Sequence, residues 1–253
     1  IGITTGTVTY TITPSVSGCY GNPITVTIIV NPTPEVFGSS SATICSGESP
    51  NISLFPSIAS TTFSWTVVAF GTTGAQSGTG TTIDDILEAD PNPGTAVYTV
   101  IPEANNCSGT PLNITVNVNP SPKPLIENGI ICIDATTNIA FKTYILDTKL
   151  DQADFDFVWY FNGSIINGEI GATLEAEVAG TYEVLVTNTV TGCKSVMTSA
   201  VVTPSSPGTT VSSTQTLAFS DNATVEVIVP DGTATFYYSL DEGAIQLSNI
   251  FTN

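Results

Sequence analysis

The five cysteines are the residues of this sequence whose type and spacing point to the most definite chemistry. Cys45 and Cys107 are 62 residues apart, and Cys132 and Cys193 are 61 residues apart. The chain has no CxxC motif and no histidine, which argues against a zinc site. The matched spacing predicts two disulfides, Cys45–Cys107 and Cys132–Cys193, and leaves Cys19 with a partner upstream of the given sequence. Closing a loop of that length contributes about 4 kcal/mol in the chain-entropy model.

Catalysis by a Ser-His-Asp or Cys-His arrangement is excluded because the sequence contains no histidine. Paired carboxylates could still support glycoside hydrolysis, and such enzymes line a cleft with several aromatic side chains. Here the two tryptophans, Trp65 and Trp159, both lie in strand patterns typical of a core. We therefore predict that the chain is not an enzyme. The carboxylates considered for this role are Asp84, Asp85, Glu88, Asp90, Asp147, Asp151, Asp154 and Asp156.

The same acidic clusters have a second interpretation as calcium sites. Calcium takes several carboxylate and carbonyl oxygens, and the segments TIDDILEAD (82–90) and LDTKLDQADFD (146–156) are acidic loops, although neither has EF-hand spacing. The alternative is a solvated acidic surface that keeps the protein soluble. No cofactor is required by the sequence, and calcium remains possible. The candidate ligands are Asp84, Asp85, Asp147, Asp151, Asp154 and Asp156.

The charge balance narrows the classes of partner. The 253 residues include 22 acidic residues, four lysines and no arginine, for a formal net charge of -18. This argues against nucleic acid and against an anionic lipid surface, because both need Lys and Arg. The hydrophobic content is 41%, which is too high for a disordered chain. No apolar run approaches the ~18 residues that span a membrane. Cysteines in such a chain indicate an oxidising, extracytoplasmic setting.

The elements that carry these residues are predicted to be strands. Val, Ile, Tyr, Phe and Thr dominate, and Gly and Pro separate short segments, which indicates an all-β fold. Residues 6–34 and 94–122 align without a gap at an offset of 88, with thirteen of 29 positions identical. A repeat of this length indicates copies of one structural unit. The sequence begins inside such a unit, so we expect it to be part of a much longer protein.

One complete repeat, residues 35–122, carries seven candidate strands with turns between them, as in an immunoglobulin-like sandwich. Residues 123–204 follow the same plan, with FVWYFNG in the place of FSWTVV. Residues 1–34 read as the C-terminal half of a truncated repeat, and residues 205–253 as the start of a further β domain. Pro-rich joints predict domains arranged end to end. The strands expected in the complete repeat are Glu35–Phe37, Ala42–Cys45, Asn51–Phe55, Thr62–Val68, Thr81–Ile83, Ala96–Ile101 and Leu112–Val118.

These motifs resemble a known family. The unit ICSGES…FSWTV…YTVIPEANNCSGTPLNITVNVNPSP is similar to the PKD-like (Ig-like) repeats of very large Bacteroidetes surface proteins, including its NPxP joints. GTYEVLVTNTVTGC, followed by the sequence from Ser220 to Asn253, looks like the region that precedes the type B sorting signal of the type IX secretion system. The resemblance covers nearly the whole chain. It implies export and display at the bacterial cell surface or release from it, as in gliding-motility adhesins.

The function expected from these observations is that of a non-catalytic structural or adhesive segment of a long secreted or surface-displayed protein: a stalk, adhesin or fibre. Its partner would be a surface polysaccharide or another cell-surface ligand, or further copies of the chain. The alternative is a spacer and carbohydrate-binding region of a secreted polysaccharide-degrading enzyme. An exposed tyrosine of the FYYSL segment (236–240) is a possible sugar contact, although an ordinary sandwich surface also explains it.

Overall fold

The computed structural model describes residues 4–134, 137–206, 211–216, 223–229, 236–241 and 243–252. In these residues the regular structure consists of strands, without a helix, and the predicted all-β class is confirmed. The chain divides into two compact units, Ile1–Ser121 and Pro122–Asn253.

The first unit contains fourteen strands among its described residues. They are β1 (Gly6–Ile12), β2 (Ser15–Val16), β3 (Cys19–Tyr20), β4 (Ile24–Val30), β5 (Val36–Phe37), β6 (Ser41–Cys45), β7 (Ile52–Ser53), β8 (Phe55–Pro56), β9 (Thr62–Phe70), β10 (Gly78–Thr79), β11 (Thr82–Ile83), β12 (Gly94–Ala104), β13 (Cys107–Ser108) and β14 (Leu112–Asn119). All seven strands predicted for the complete repeat are present, with ends that differ by a few residues. The predicted segment Asn51–Phe55 is divided between β7 and β8.

Strands β5 to β14 form the first sandwich. Its main sheet has the order β10-β9-β12-β14-β6, in which β6 runs parallel to β14 and the other pairs are antiparallel. The short pairs β7–β11 and β5–β8 lie outside this sheet. Alternate residues of β12 point inward, so Ala96, Tyr98 and Val100 are buried, as the period-two pattern of a strand requires. They join Ile83 and Ile114 in one hydrophobic core.

The second unit contains eleven strands among its described residues. They are β15 (Gly129–Ile133), β16 (Ala140–Lys142), β17 (Tyr144–Asp147), β18 (Phe155–Phe161), β19 (Ser164–Ile165), β20 (Thr173–Ala176), β21 (Gly180–Asn188), β22 (Thr198–Ser205), β23 (Ser212–Gln215), β24 (Thr224–Ile228) and β25 (Ile250–Thr252). Strands β15 to β22 form the second sandwich. Its main sheet has the order β16-β15-β22-β21-β18-β19, with β17–β20 as a separate pair.

The second sandwich follows the plan of the first. Strand β15 runs parallel to β22, as β6 does to β14. Trp159 is fully buried and donates its indole N–H to the carbonyl of Gly171 at 2.8 Å. Trp65 donates to the carbonyl of Gln76 at 3.2 Å in the first sandwich. Both tryptophans are therefore core residues, as predicted, and they occupy equivalent positions in the two sandwiches.

Two smaller groups of strands flank the sandwiches along the sequence. Strands β1 and β4 pair alone as a hairpin, with Tyr10 opposite Val26. Strands β23, β24 and β25 form a three-stranded antiparallel sheet. The residue pattern of 208–253 predicts strands at Thr216–Phe219, Thr224–Ile228 and Thr233–Ser239 and a turn at 241–243, and β24 is the second of these strands. The strands predicted at Thr216–Phe219 and Thr233–Ser239, and the turn at 241–243, fall partly outside the described residues.

Candidate functional site

The two cysteines of the first sandwich lie at opposite ends of its main sheet. Cys45 is opposite Asn119, where the last strand finishes, and we call this the exit end. Cys107 is opposite Ala104, beside the turn that closes β12, and we call this the turn end. Strand β12 spans the distance between the two ends, about 30 Å at ~3.3 Å per residue. Disulfide formation needs Cα atoms within about 7 Å.

The second sandwich places its cysteines in the same way. Cys132 is opposite Ser205 at the exit end. Cys193 lies beyond β21 at the turn end, where its carbonyl accepts the backbone N–H of Asn188. Strand β21 again separates the two ends, by about 26 Å at ~3.3 Å per residue. Neither sandwich can therefore join its own two cysteines.

These positions correct the predicted disulfides. Cys107 and Cys132 are free thiols, so the bridges Cys45–Cys107 and Cys132–Cys193 are not formed. Cys45 and Cys193 are disulfide-bonded. Cys19 is a free, exposed thiol in the β2–β3 turn, the counterpart of the β12–β13 turn. The two cysteines have nearly the same spacing in both sandwiches. A separation along the sequence, however, does not show at which end of the sheet each cysteine lies.

The first acidic segment is built around Asp85, which has a structural role. Its Oδ2 accepts the hydroxyl of Tyr98 and the backbone N–H of Gln76, both at 2.8 Å. Burial, and then the hydrogen bond to Asp85, raise the pKa of Tyr98 well above its usual range. Asp84, the neighbouring candidate, is exposed. The carboxylate predicted as a calcium ligand is thus a partner of a core tyrosine.

Carboxylates of the second acidic segment accept hydrogen bonds from residues close by in the sequence. Asp147 accepts the Lys149 ammonium and the Lys149 backbone N–H, at 2.8 and 2.9 Å. The side-chain hydrogen bond to Lys149 lowers the pKa of the Asp147 carboxyl. Asp151 accepts the backbone N–H of Ala153 at 2.9 Å, and Asp154 and Asp156 are exposed. Within the described residues, no group of three or more His, Cys, Asp or Glu side chains is arranged to hold a metal ion.

A groove of about 490 Å³ lies on the second sandwich, and the sequence analysis did not predict it. Its apolar surface includes Phe161 and Tyr182, whose rings are 4.9 Å apart between centroids. The Tyr182 hydroxyl donates to the carbonyl of Val178 at 2.8 Å, and burial raises the pKa of Tyr182. The alternation of apolar residues in β21 could have located Tyr182, but its neighbours come from distant strands. The groove is lined by Phe161, Ile166, Glu169, Leu174, Glu175, Glu177, Val178 and Tyr182.

The β1–β4 hairpin carries an exposed apolar face. Tyr10 and Val26 lie opposite each other on this face, and Tyr10 is 53% exposed. Their counterparts in the repeat, Tyr98 and Ile114, are fully buried in the first sandwich. The opposite face of the hairpin carries mainly threonine, with Thr9 opposite Thr27, and has Ile29 as its one large apolar residue. Within the described residues, this hairpin is where apolar side chains that are buried in the repeat are exposed to solvent along two whole strands.

Comparisons with known proteins agree with the repeat. The PKD-like domain family matches residues 2–34 and 42–122, which include the hairpin and most of the first sandwich. No curated protein sequence matches the chain. Among the described residues, no helix has the length and hydrophobicity needed to cross a bilayer.

Several solved structures are similar to this chain. The Ig1-2 module of the Drosophila receptor protein tyrosine phosphatase DLAR is 13% identical, with 67% of this chain and 98% of that chain covered and a TM-score of 0.23. The FN1-FN3 domains of chicken CNTN1 are 10% identical, with 87% and 83% covered and a TM-score of 0.27. Sidekick-1 immunoglobulin domains 1-5 are 12% identical, with 77% and 45% covered and a TM-score of 0.27. Residues 2–34 and 42–122 are therefore similar to the PKD-like domain family, within an all-β chain that contains two tandem sandwiches.

Proposed function

We propose that this chain is a non-catalytic structural or adhesive segment of a long secreted or surface-displayed protein, such as a stalk, adhesin or fibre. The observation that carries this proposal is the tandem repetition of sandwiches that each have a hydrophobic core of their own. A protein built from units with separate cores gains length by adding units, because each unit folds on its own contacts. This is what a stalk requires.

The polar groups of the two cores also support this function. Trp65, Tyr98, Trp159 and Tyr182 each donate a hydrogen bond within their own sandwich. Among the described residues, every buried side-chain nitrogen or oxygen has a hydrogen-bond partner. The buried polar side chains of the two sandwiches are therefore engaged in stabilising the fold.

The proposed organisation has four parts. Residues 35–122 and 123–204 are complete domains, and the separate cores of the two sandwiches support this division. Residues 1–34 are the C-terminal half of a further repeat, which agrees with the exposed apolar face of the hairpin. Residues 205–253 begin another β domain. We place the protein outside the cell, at a bacterial cell surface reached through type IX secretion, with a surface polysaccharide, another surface ligand or further copies as partner.

Labelling of intact cells tests this proposal. An antibody raised against the chain should label unpermeabilised cells of the source organism, and external protease should remove the signal. Deletion of the gene should reduce attachment to surfaces or gliding, while the breakdown of polysaccharides continues at its normal rate. Labelling that requires permeabilised cells contradicts surface display. Loss of polysaccharide breakdown with normal attachment would favour the alternative function, a spacer and carbohydrate-binding region of a secreted enzyme.

A further inference from the structure

Cysteines at the same end of the two sandwiches differ in their bonding. At the exit end, Cys45 of the first sandwich is disulfide-bonded and Cys132 of the second is a free thiol. At the turn end, Cys193 of the second sandwich is disulfide-bonded and Cys107 of the first is free. Each end of this fold is therefore a place where a disulfide forms. The two free thiols occupy positions whose counterparts are bonded.

The two free thiols lie at positions that a partner outside their own sandwich can reach. Cys107 directly follows the two-residue turn Asn105-Asn106, in which both residues have positive φ, as a tight hairpin turn requires. Cys132 lies where the register of β15 shifts against β16. Both cysteines are half-buried at the ends of the sandwiches and absent from their cores. Because a disulfide needs Cα atoms within about 7 Å, only a cysteine of a domain that abuts the same end can reach either thiol.

The path of the chain shows at which end the first sandwich is entered and at which end it is left. The chain arrives at the turn end of the first sandwich, where the Asn31 side-chain amide donates to the carbonyl of Asn105 at 3.4 Å. It leaves at the exit end after Asn119. In a tandem array, the polypeptide itself therefore leads from the exit end of one repeat to the turn end of the next.

From these positions we propose that Cys107 and Cys132 form disulfides with other PKD-like domains, turn end to exit end. Cys107 takes an exit-end cysteine of another domain, and Cys132 takes a turn-end cysteine. The inference rests on the extracellular, oxidising setting proposed above. Its consequence is a chain of domains joined covalently at their ends, in addition to the peptide linkers.

The oxidant is a small disulfide such as oxidised glutathione. The thiolate of one cysteine attacks this disulfide, forms a mixed disulfide and releases one small thiol. The second cysteine then attacks the protein sulfur of the mixed disulfide, forms the bond between the two domains and releases the second small thiol. In total, two protein thiols lose two protons and two electrons, and one small disulfide is reduced to two thiols.

The test uses the purified chain, with a second copy as the probe for the opposite end. The protein is incubated with oxidised glutathione, separated on a non-reducing gel and digested for disulfide mapping by mass spectrometry. We expect cross-linked species in which Cys132 of one copy is joined to Cys107 or Cys19 of another. Cys132→Ser and Cys132→Ala should both lose these species, because they remove the free exit-end thiol. Cys107→Ser is the matched control and should keep the links to Cys19.

Three results would overturn the proposal. They are cross-links that persist in both Cys132 variants, mapped links between two cysteines of the same end, and a bridge within one sandwich, Cys45–Cys107 or Cys132–Cys193. Circular dichroism of each variant verifies that it is folded. Because the experiment is done on purified protein, its outcome is independent of whether cells display the chain. Failure of the disulfide proposal can therefore be distinguished from failure of the proposed function.

Discussion

The hydroxyl of Tyr98 donates a 2.8 Å hydrogen bond to Oδ2 of Asp85 inside the first sandwich. The tyrosine is 0% exposed, and the same carboxylate oxygen accepts the backbone N–H of Gln76. The bond thus joins the central strand β12 to the segments that precede β10 and follow β11. In the second sandwich, Tyr182 has the same place relative to the core tryptophan, two residues before the residue opposite Trp159, and it donates to the backbone carbonyl of Val178 instead. The two sandwiches satisfy a core tyrosine with different partners.

Tyr98→Phe should destabilise the first sandwich by roughly 1.5–3 kcal/mol, the usual contribution of a hydrogen bond to a charged group. The change keeps the ring in the core and removes only the donor to Asp85. Urea unfolding, followed by Trp65 fluorescence in a Trp159→Phe background, measures the effect. The unfolding midpoint should fall without a change in slope.

Tyr182→Phe is the matched control for this measurement. It removes a hydrogen bond to a neutral carbonyl, so its cost should be smaller, about 1 kcal/mol. It should lower the midpoint reported by Trp159 in a Trp65→Phe background and leave the Trp65 midpoint unchanged. If Tyr98→Phe moved both midpoints equally, the two sandwiches would not be separate folding units.

Stability should also fall at alkaline pH because of these two tyrosines. Burial and the hydrogen bond to Asp85 raise the pKa of Tyr98, and burial raises that of Tyr182, in both cases above the value of about 10 expected in the unfolded chain. The folded state therefore favours the neutral phenol. The stability that this difference contributes is fully present below about pH 10 and is lost as the pH rises further toward the folded pKa.

The variants separate the two contributions to this pH dependence. In Tyr98→Phe, the midpoint reported by Trp65 should change less between pH 9 and pH 11 than in the parent chain, because the main titrating group of that core is gone. The midpoint reported by Trp159 should keep its full decline. An unchanged decline for Trp65 in Tyr98→Phe would contradict the assignment of this pH dependence to Tyr98.

Much of the fold follows from residue patterns that act locally. The alternation in β12 buries Ala96, Tyr98 and Val100, and the aligned repeat predicts the hairpin of β1 and β4. Both tryptophans were predicted in the core because their strands are apolar on the inward face. These features depend on neighbours along the chain, which the sequence displays directly.

The disulfides depend instead on the choice and direction of strand partners. Cys45 lies at the far end from Cys107 because β6 pairs with β14 in parallel, and a pairing direction is not written in the residues of either strand. The sequence marks Asp85 as a calcium candidate, and its hydrogen-bond partner Tyr98, 13 residues further along the chain, is not apparent from the acidic segment alone. A buried tyrosine needs a hydroxyl partner, and that requirement, applied to the inward alternation of β12, is the signal that could have found this pair.

Calcium should leave the melting temperature unchanged. The Asp85 carboxylate is bonded to Tyr98 and Gln76, and Asp147 is bonded to Lys149. Coordination of calcium would compete with these bonds for the carboxylate charge. Scanning calorimetry in the presence of millimolar calcium and of EDTA measures the difference. A ligand at 100 times its dissociation constant stabilises by about 2.7 kcal/mol. A rise in melting temperature that EDTA reverses would therefore establish a calcium site.

The exposed apolar face of the β1–β4 hairpin should cause the chain to self-associate under reducing conditions. Val26 lies at the centre of this face opposite Tyr10, and the equivalent Ile114 is buried in the first sandwich. Val26→Lys should weaken association at least tenfold, which corresponds to about 1.4 kcal/mol, because an ammonium group would be placed in an apolar contact. Sedimentation velocity across a concentration series measures the change.

Thr27→Lys is the control for this last prediction. It adds the same charge to the adjacent position, which faces the other side of the hairpin. Both variants reduce the net charge of -18 by the same amount, so a general electrostatic effect would promote association in both. If association depends on contact through the apolar face, Val26→Lys associates more weakly than the parent chain, whereas Thr27→Lys does not. A parent chain that sediments as a monomer at every concentration would show that the hairpin does not bind a second copy.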